Sequence, residues 1–257
     1  GPHGIRKQLD STDNLGVLGS VKATCYPTAS LSACSFDRNI MKKLGENLAK
    51  EAIANGVQMV LGPGINIKRT PLCGRNFEYI SEDPYVSGEL SAAYIRGVED
   101  MKVGTSLKHF ICNNQEKNRF TIDSVVDQRA LHEIYYPGFK RALKENPASM
   151  MVSYNKLNGL YVSEHPSIKN LVRNKWGYQG VLVSDWGAIN NRSQSVKMTL
   201  HLEMPSSHGY WTKKLLEDSS KDQVLKQEIL NSAQRVEKMV RTYKKQEAIE
   251  LDFKKQH

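Results

Sequence analysis

Five short apolar runs, rich in β-branched residues, constrain this chain more than any other feature. They are Val57 to Leu61, Gly104 to Leu107, Ser149 to Ser153, Gly180 to Ser184 and a weaker run from Thr199 to Leu202. Their apolar character is continuous rather than alternating, as in parallel strands covered on both faces. Helix-period segments separate them. Asp37 reads as an N-cap before Ile40, Leu44, Leu48 and Ala52, and Asp83-Pro84 reads as an N-cap with proline at the first helical position. Asp127 opens a helix through Leu131, Ile134, Tyr135, Phe139 and Leu143, which Pro137 should kink. A shorter helix runs from Pro166 to Trp176. The longest runs from Gln223 to Tyr243, with a stripe of Leu225, Ile229, Ala233, Val236 and Val240.

This alternation predicts a parallel α/β architecture, either an open doubly wound sheet or a (β/α)8 barrel. The polar residues favour the barrel. Lys108-His109, Tyr154, Asp185 and Glu203 each follow a different strand, and barrel enzymes build their sites from the C-terminal ends of several strands. A doubly wound nucleotide binder concentrates its signal in one glycine-rich turn, and no GxGxxG or GxxxxGK[ST] motif occurs.

Composition narrows the class. The chain has 257 residues, 39% hydrophobic and 25% charged, which is globular. The net charge of +9 is spread along the chain without an RNP-like motif, so the reading is a solvated basic surface and no nucleic-acid partner. No apolar run approaches the ~18 residues of a membrane-spanning helix, so no membrane partner is expected. Cys25, Cys34, Cys73 and Cys112 lack CxxC spacing and read as buried, reduced thiols. With no signal-peptide pattern at Gly1, the expected location is cytoplasmic.

Local sequence leaves the candidate chemistry open. Asp185 ends an apolar strand and precedes Trp186-Gly187. It is either a nucleophile or base at a barrel mouth, or the cap of the next helix. Lys108 and His109 either hold hydroxyl oxygens or form a buried ion pair. No HxH, HExxH or Cys/His cluster accompanies them, so no metal is expected. Residues 63–78 form a long loop, a functional signal in a compact domain. Its Arg75 offers a planar fork of donors or pairs with Glu78 or Glu82.

Eight motifs in order carry a family resemblance: Gly62-Pro63-Gly64-Ile65-Asn66, Gly74-Arg75-Asn76-Phe77-Glu78, Ser81-Glu82-Asp83-Pro84-Tyr85, Lys108-His109-Phe110, Asn113-Asn114-Gln115-Glu116, Ser153-Tyr154-Asn155, Ser184-Asp185-Trp186-Gly187-Ala188 and Leu202-Glu203-Met204-Pro205. Together they resemble the N-terminal barrel domain of glycoside hydrolase family 3, β-glucosidase branch. The resemblance implies a retaining exo-acting β-glycosidase for terminal β-D-glucosyl residues, with a β-glucoside or oligosaccharide as substrate. It implies Asp185 as the nucleophile that forms a covalent glycosyl-enzyme. Arg75, Lys108, His109 and Tyr154 match glycone-binding positions, Arg119 a supporting arginine, and Trp186 a wall of the sugar site. It implies no metal or organic cofactor.

There are departures. The family's opening motif begins with Asp, whereas this chain begins at Gly1-Pro2-His3-Gly4. His201 stands where Asp is usual, Met198 and Thr199 replace small residues, and Asn191 replaces an Asp. The family's acid/base Glu comes from a C-terminal α/β domain. The expectation is therefore a TIM-type (β/α)8 barrel over residues 1–245, lacking its first strand and truncated at both ends. Residues 246–257 would link to the C-terminal α/β domain, and the isolated chain would be a weak hydrolase. The alternatives are an inactive or sugar-binding fragment, or a β-xylosidase of the same family. The β-N-acetylglucosaminidase branch is disfavoured. Its motif runs Lys-His-Phe-Pro-Gly-His-Gly, against Lys108-His109-Phe110-Ile111-Cys112-Asn113-Asn114 here.

Overall fold

A computed structural model describes residues 4–9 and 17–251. Gly1-Pro2-His3 of the opening motif, and residues 252–257 of the expected linker, lie outside them. The helices in chain order are α1 (Ala29–Ala33), α2 (Arg38–Ala54), α3 (Pro84–Asp100), α4 (Gln128–Ala130), α5 (Tyr136–Ala142), α6 (Arg192–Lys197), α7 (Tyr210–Ser219) and α8 (Gln223–Thr242). The strands are β1 (Met59–Val60), β2 (Gly104–Phe110), β3 (Asp123–Ser124), β4 (Ser149–Val152), β5 (Lys156–Leu157), β6 (Leu160–Tyr161), β7 (Val181–Trp186) and β8 (Leu202–Met204).

Five strands pair in the order β1-β2-β4-β7-β8, and every pairing is parallel. The sheet curls into a half-barrel. Each of the five apolar runs supplies one strand, although the last lies at Leu202–Met204 rather than from Thr199. This is the expected α/β class with fewer strands than a full (β/α)8 barrel. Among the described residues β1 and β8 do not pair. β3, between β2 and β4, pairs in a separate sheet with β5 and β6, which lie between β4 and β7. The predicted loop 63–78 is irregular up to a 3-10 turn at Asn76–Glu78, and is bound to β2 by the Ile65 N–H donating to the Lys108 carbonyl at 2.8 Å.

Strand alternation divides the core. Met150, Val152 and Leu182 face one side with Leu48, Ile95, Leu107 and Phe139. Met151, Val181 and Val183 face the other, where Val236 and Met239 of α8 pack on them. The helical layer depends on a close approach of α2 and α3. A Cβ on Gly97 would sit 2.1 Å from the Lys42 carbonyl oxygen, and one on Gly45 would sit 2.5 Å from that of Tyr94. Glycine is the residue that permits such backbone contact. At the opposite end from the strand tips, the Glu99 carboxylate accepts from the N–H groups of Thr105 and Ala148, each at 2.8 Å, and from the Tyr243 hydroxyl. It thereby ties β2 and β4 to the end of α8.

The predicted caps are present: Asp37 accepts from Asn39 and Ile40, and Asp83 from Val86. The Pro137 kink takes the form of a wide π-type stretch, Leu131–Tyr135, directly before α5. This is how a helix accommodates the lost donor and the bulk of the ring. Three expectations are corrected. Ile40, read as part of an apolar stripe, is exposed. The buried face of α8 runs through Leu225, Ser232, Val236 and Met239, leaving Ala233 and Val240 exposed. Glu228 of α8 pairs with Lys169 at 3.0 Å. Finally, Cys25 and Cys34 are exposed, while Cys73 and Cys112 are buried; all four are free.

His201 shows what the core requires of one unusual residue. It is buried beside β7, and its Nδ1 accepts the Leu182 N–H at 2.8 Å. Burial, with Arg173, Arg235 and Arg192 nearby, pushes its pKa down to about 2. The unfolded chain therefore binds a proton near pH 6.5 that the folded chain refuses, and stability falls as pH drops. Between pH 7 and pH 5 this one residue costs about 2 kcal/mol. His201→Asn should shrink the pH dependence of urea-unfolding free energy by that amount; an unchanged dependence would contradict it.

Candidate active site

Because all five strands run parallel, their C-terminal ends lie along one edge. That edge carries Lys108 and His109 from β2, Tyr154 just after β4, Asp185 and Trp186 from β7, and Glu203 from β8. The register fixes their heights: Phe110 lies opposite Val152, Val152 opposite Ser184, and Trp186 opposite Met204. The loop 63–78 adds Arg75.

These groups converge. His109 Nε2 is 3.6 Å from Asp185 Oδ2, and the Arg75 Nη2 group reaches the same imidazole nitrogen at 2.8 Å. Arginine can only donate, so Nε2 is the acceptor and the proton sits on Nδ1. Nδ1 faces the Asn66 side-chain oxygen and the Tyr79 hydroxyl, each at 3.3 Å. Burial, then Arg75, Lys108 and Arg119, hold the His109 pKa well below its usual value. The imidazole is therefore neutral, and its contact with Asp185 is not an ion pair. Asn66 also grips the His109 backbone, accepting its N–H and donating to its carbonyl, both at 2.8 Å.

Glu78 anchors the cations. Asn76–Glu78 forms a single 3-10 turn, which brings side chains three apart onto one face. Arg75 Nε donates to Glu78 Oε1, and Lys108 Nζ lies 3.3 Å from Glu78 Oε2. Burial alone would raise the Glu78 pKa, but Lys108 and Arg75 together hold it below the usual carboxylate range. Burial, with help from Arg75, pushes Lys108 down from its ordinary value. The ion-pair alternative is the one the contacts show: Arg75 and Lys108 both pair with the buried Glu78 carboxylate.

Asp185 does not cap a helix; Asn191 caps α6. Its Oδ1 accepts the Trp186 N–H at 2.8 Å. Its Oδ2 is buried and takes no hydrogen bond among the described residues. Tyr154 is raised well above the usual phenol pKa, by burial and then by the Asp185 carboxylate. Arg119 lies with its guanidinium carbon 4.6 Å from the Tyr154 ring centre and pairs with Glu116 at 2.7 Å. Trp186 is half-buried, and its ring packs on the cluster of Met151, Val181 and Val183. Glu203 is otherwise engaged, accepting from the Ser207 N–H and hydroxyl at 2.8 and 2.6 Å. No group of three or more metal-ligating side chains occurs among the described residues.

All seven predicted site residues therefore meet at one edge. Sequence reasoning missed Glu78 as the anchor of Lys108, and Asn66 and Tyr79 as braces of His109. The i,i+3 spacing of Arg75 and Glu78 was the available signal; the other contacts join segments more than 25 residues apart.

Comparison with known proteins identifies the family and the fold. Residues 4–239 match the glycosyl hydrolase family 3 N terminal domain. Thermostable beta-glucosidase B of Acetivibrio thermocellus is 49% identical over 235 residues, covering 91% of this chain and 31% of that protein. An exo-alpha-(1->6)-L-arabinopyranosidase of Bifidobacterium breve is 44% identical over 211 residues, covering 81% of this chain and 28% of that protein. The crystal structure of a Bifidobacterium adolescentis GH3 beta-glucosidase superposes with a TM-score of 0.89 at 37% identity, covering 99% of this chain and 37% of that one. The chain thus spans roughly a third of the length of these relatives. With the family match running from Gly4 across all five strands into α8, the chain belongs to glycosyl hydrolase family 3, in the region of its N-terminal domain.

Proposed function

We propose that this chain is the glycone-binding, nucleophile-bearing part of a retaining exo-β-glycosidase of β-glucosidase type. The observation that carries this reading is Asp185 Oδ2: a buried carboxylate oxygen without a protein hydrogen bond, at the edge where Arg75, Lys108, His109 and Tyr154 gather. A buried acceptor is normally satisfied. One left without a protein partner at the strand-end edge supports a role toward a reacting carbon. Asp185 attacks the anomeric carbon, the glycosidic C–O bond breaks, and water later cleaves the glycosyl ester. Lys108, Arg75 and Tyr154 hold sugar hydroxyls, Arg119 supports Tyr154, and Trp186 walls the site. His109 is a positioning group rather than an acid, because its imidazole carries no transferable proton on the Asp185 side.

The leaving group needs a proton, and we assign its donor to the C-terminal α/β domain of a longer polypeptide. The coverage of the relatives supports this assignment. Substrates with activated leaving groups need little protonation. Against cellobiose, this chain should therefore lose about 10²–10⁴-fold that it does not lose against 2,4-dinitrophenyl β-glucoside. Efficient cellobiose cleavage by residues 1–257 alone would refute the assignment. The nucleophile is tested by trapping with 2,4-dinitrophenyl 2-deoxy-2-fluoro-β-glucoside. The label should appear on the peptide containing Asp185; a label on Glu203 would sink the reading.

The arabinopyranosidase relative supports a second substrate reading. Comparing aryl β-D-glucoside with aryl α-L-arabinopyranoside by kcat/KM decides between them.

A further inference from the structure

We propose that a cleft behind β7, separate from the Asp185 edge, binds a tetrahedral oxyanion such as phosphate. The cleft measures about 390 Å³ and lies between the wide helical segment Ile168–Lys175 and α8, with Thr199 and His201 at its back.

Its centre is Arg173, which is only 8% exposed. Among the described residues no carboxylate lies within ion-pair distance of this guanidinium. A buried charge is costly unless paired. Its existing contacts use its donors poorly. Nη1 donates to the Tyr178 carbonyl at 2.5 Å, but Nε reaches Thr199 Oγ1 only at 3.3 Å. Nη2 stands 3.4 Å from His201 Nδ1, an atom that already accepts the Leu182 N–H at 2.8 Å. Half of a planar donor fork is therefore underused.

The rest of the wall has the same sign. Arg235 and Lys238 of α8 and Lys169 line the cleft. Its one lining carboxylate, Glu228, is taken by Lys169 at 3.0 Å. Arg173 lies over the Tyr178 ring at 5.1 Å and Arg235 donates to the Gln179 carbonyl at 2.7 Å, but among the described residues neither they nor Lys238 has a carboxylate partner, which favours an anionic ligand. Guanidinium forks match tetrahedral oxyanions, and Asn174 adds a neutral side-chain amide at the wall. The cations surround one small cleft rather than forming a stripe, which suits a compact ion and not a polymer. His201 holds Leu182 three residues before Asp185, so the bound ion would stiffen the β7–β8 pair.

Thermal unfolding of residues 1–257 tests this at constant ionic strength, with sodium phosphate replacing sodium chloride. Phosphate should raise the midpoint in a saturable, concentration-dependent way. Arg235→Gln, a change outside the core, should weaken calorimetric phosphate binding at least tenfold. His201→Asp places a carboxylate against Arg173 and should abolish the phosphate-dependent shift. Equal midpoints in phosphate and chloride would overturn the proposal. So would wild-type phosphate binding by both variants.

Discussion

Asp185→Ala should lower kcat/KM on 2,4-dinitrophenyl β-glucoside by a factor on the order of 10⁴ or more, the usual scale for loss of a nucleophile. The substrate needs little acid assistance, so the loss reports the nucleophile alone. Removing the carboxylate opens space at the strand edge, and added azide should then restore turnover. Azide attacks from the face that Asp185 occupied, so the product should be the α-glycosyl azide, the opposite anomer to the substrate. Glu203→Gln is the control. Glu203 is held by Ser207 and lies 3.8 Å from Arg192, so its loss should affect stability more than chemistry. A large rate loss in Glu203→Gln with little loss in Asp185→Ala would reverse the assignment.

Glu78→Gln should cost about 3–5 kcal/mol of folding stability, because it leaves Lys108 and Arg75 buried without their shared anion. Urea unfolding at pH 7 measures it. Glu78→Gln combined with Lys108→Met should recover part of that loss, since one uncompensated charge goes with it. The pH dependence has a definite sign. The folded-state pKa of Glu78 lies below its unfolded value, so its contribution is present above the unfolded pKa. It is lost as pH falls through the folded one. A cost near zero for Glu78→Gln at pH 7 would mean that the pair is solvated and not structural.

Much of this was legible in the chain. The five apolar runs specify parallel strands because continuous burial leaves a strand no solvent face. Asp37 and Asp83 mark helix starts because a short side-chain acceptor there meets free N–H groups. Pro137 marks a distortion because it lacks a donor. Each signal acts within a few residues, which is why it survives without a fold. The same locality explains the errors. Ile40 and Val240 satisfy helical periodicity, but which face is buried depends on what α2 and α8 pack against.

The sequence by itself determined the five strands of the parallel sheet, their order along the chain and the polar residues that follow them, but not the small β3-β5-β6 sheet. Parallel pairing makes those followers neighbours, while Arg75 and Arg119, which lie in loops, are named as site residues only through the family resemblance. Tertiary structure alone decided the charges and their partners. Glu78 pairs with Lys108 across 30 residues, and His109 is neutral because burial and three cations surround it. That Arg173 is buried with no carboxylate partner shows only in the folded chain. Burial and through-space Coulomb interactions depend on distances between segments, and no local spacing encodes them.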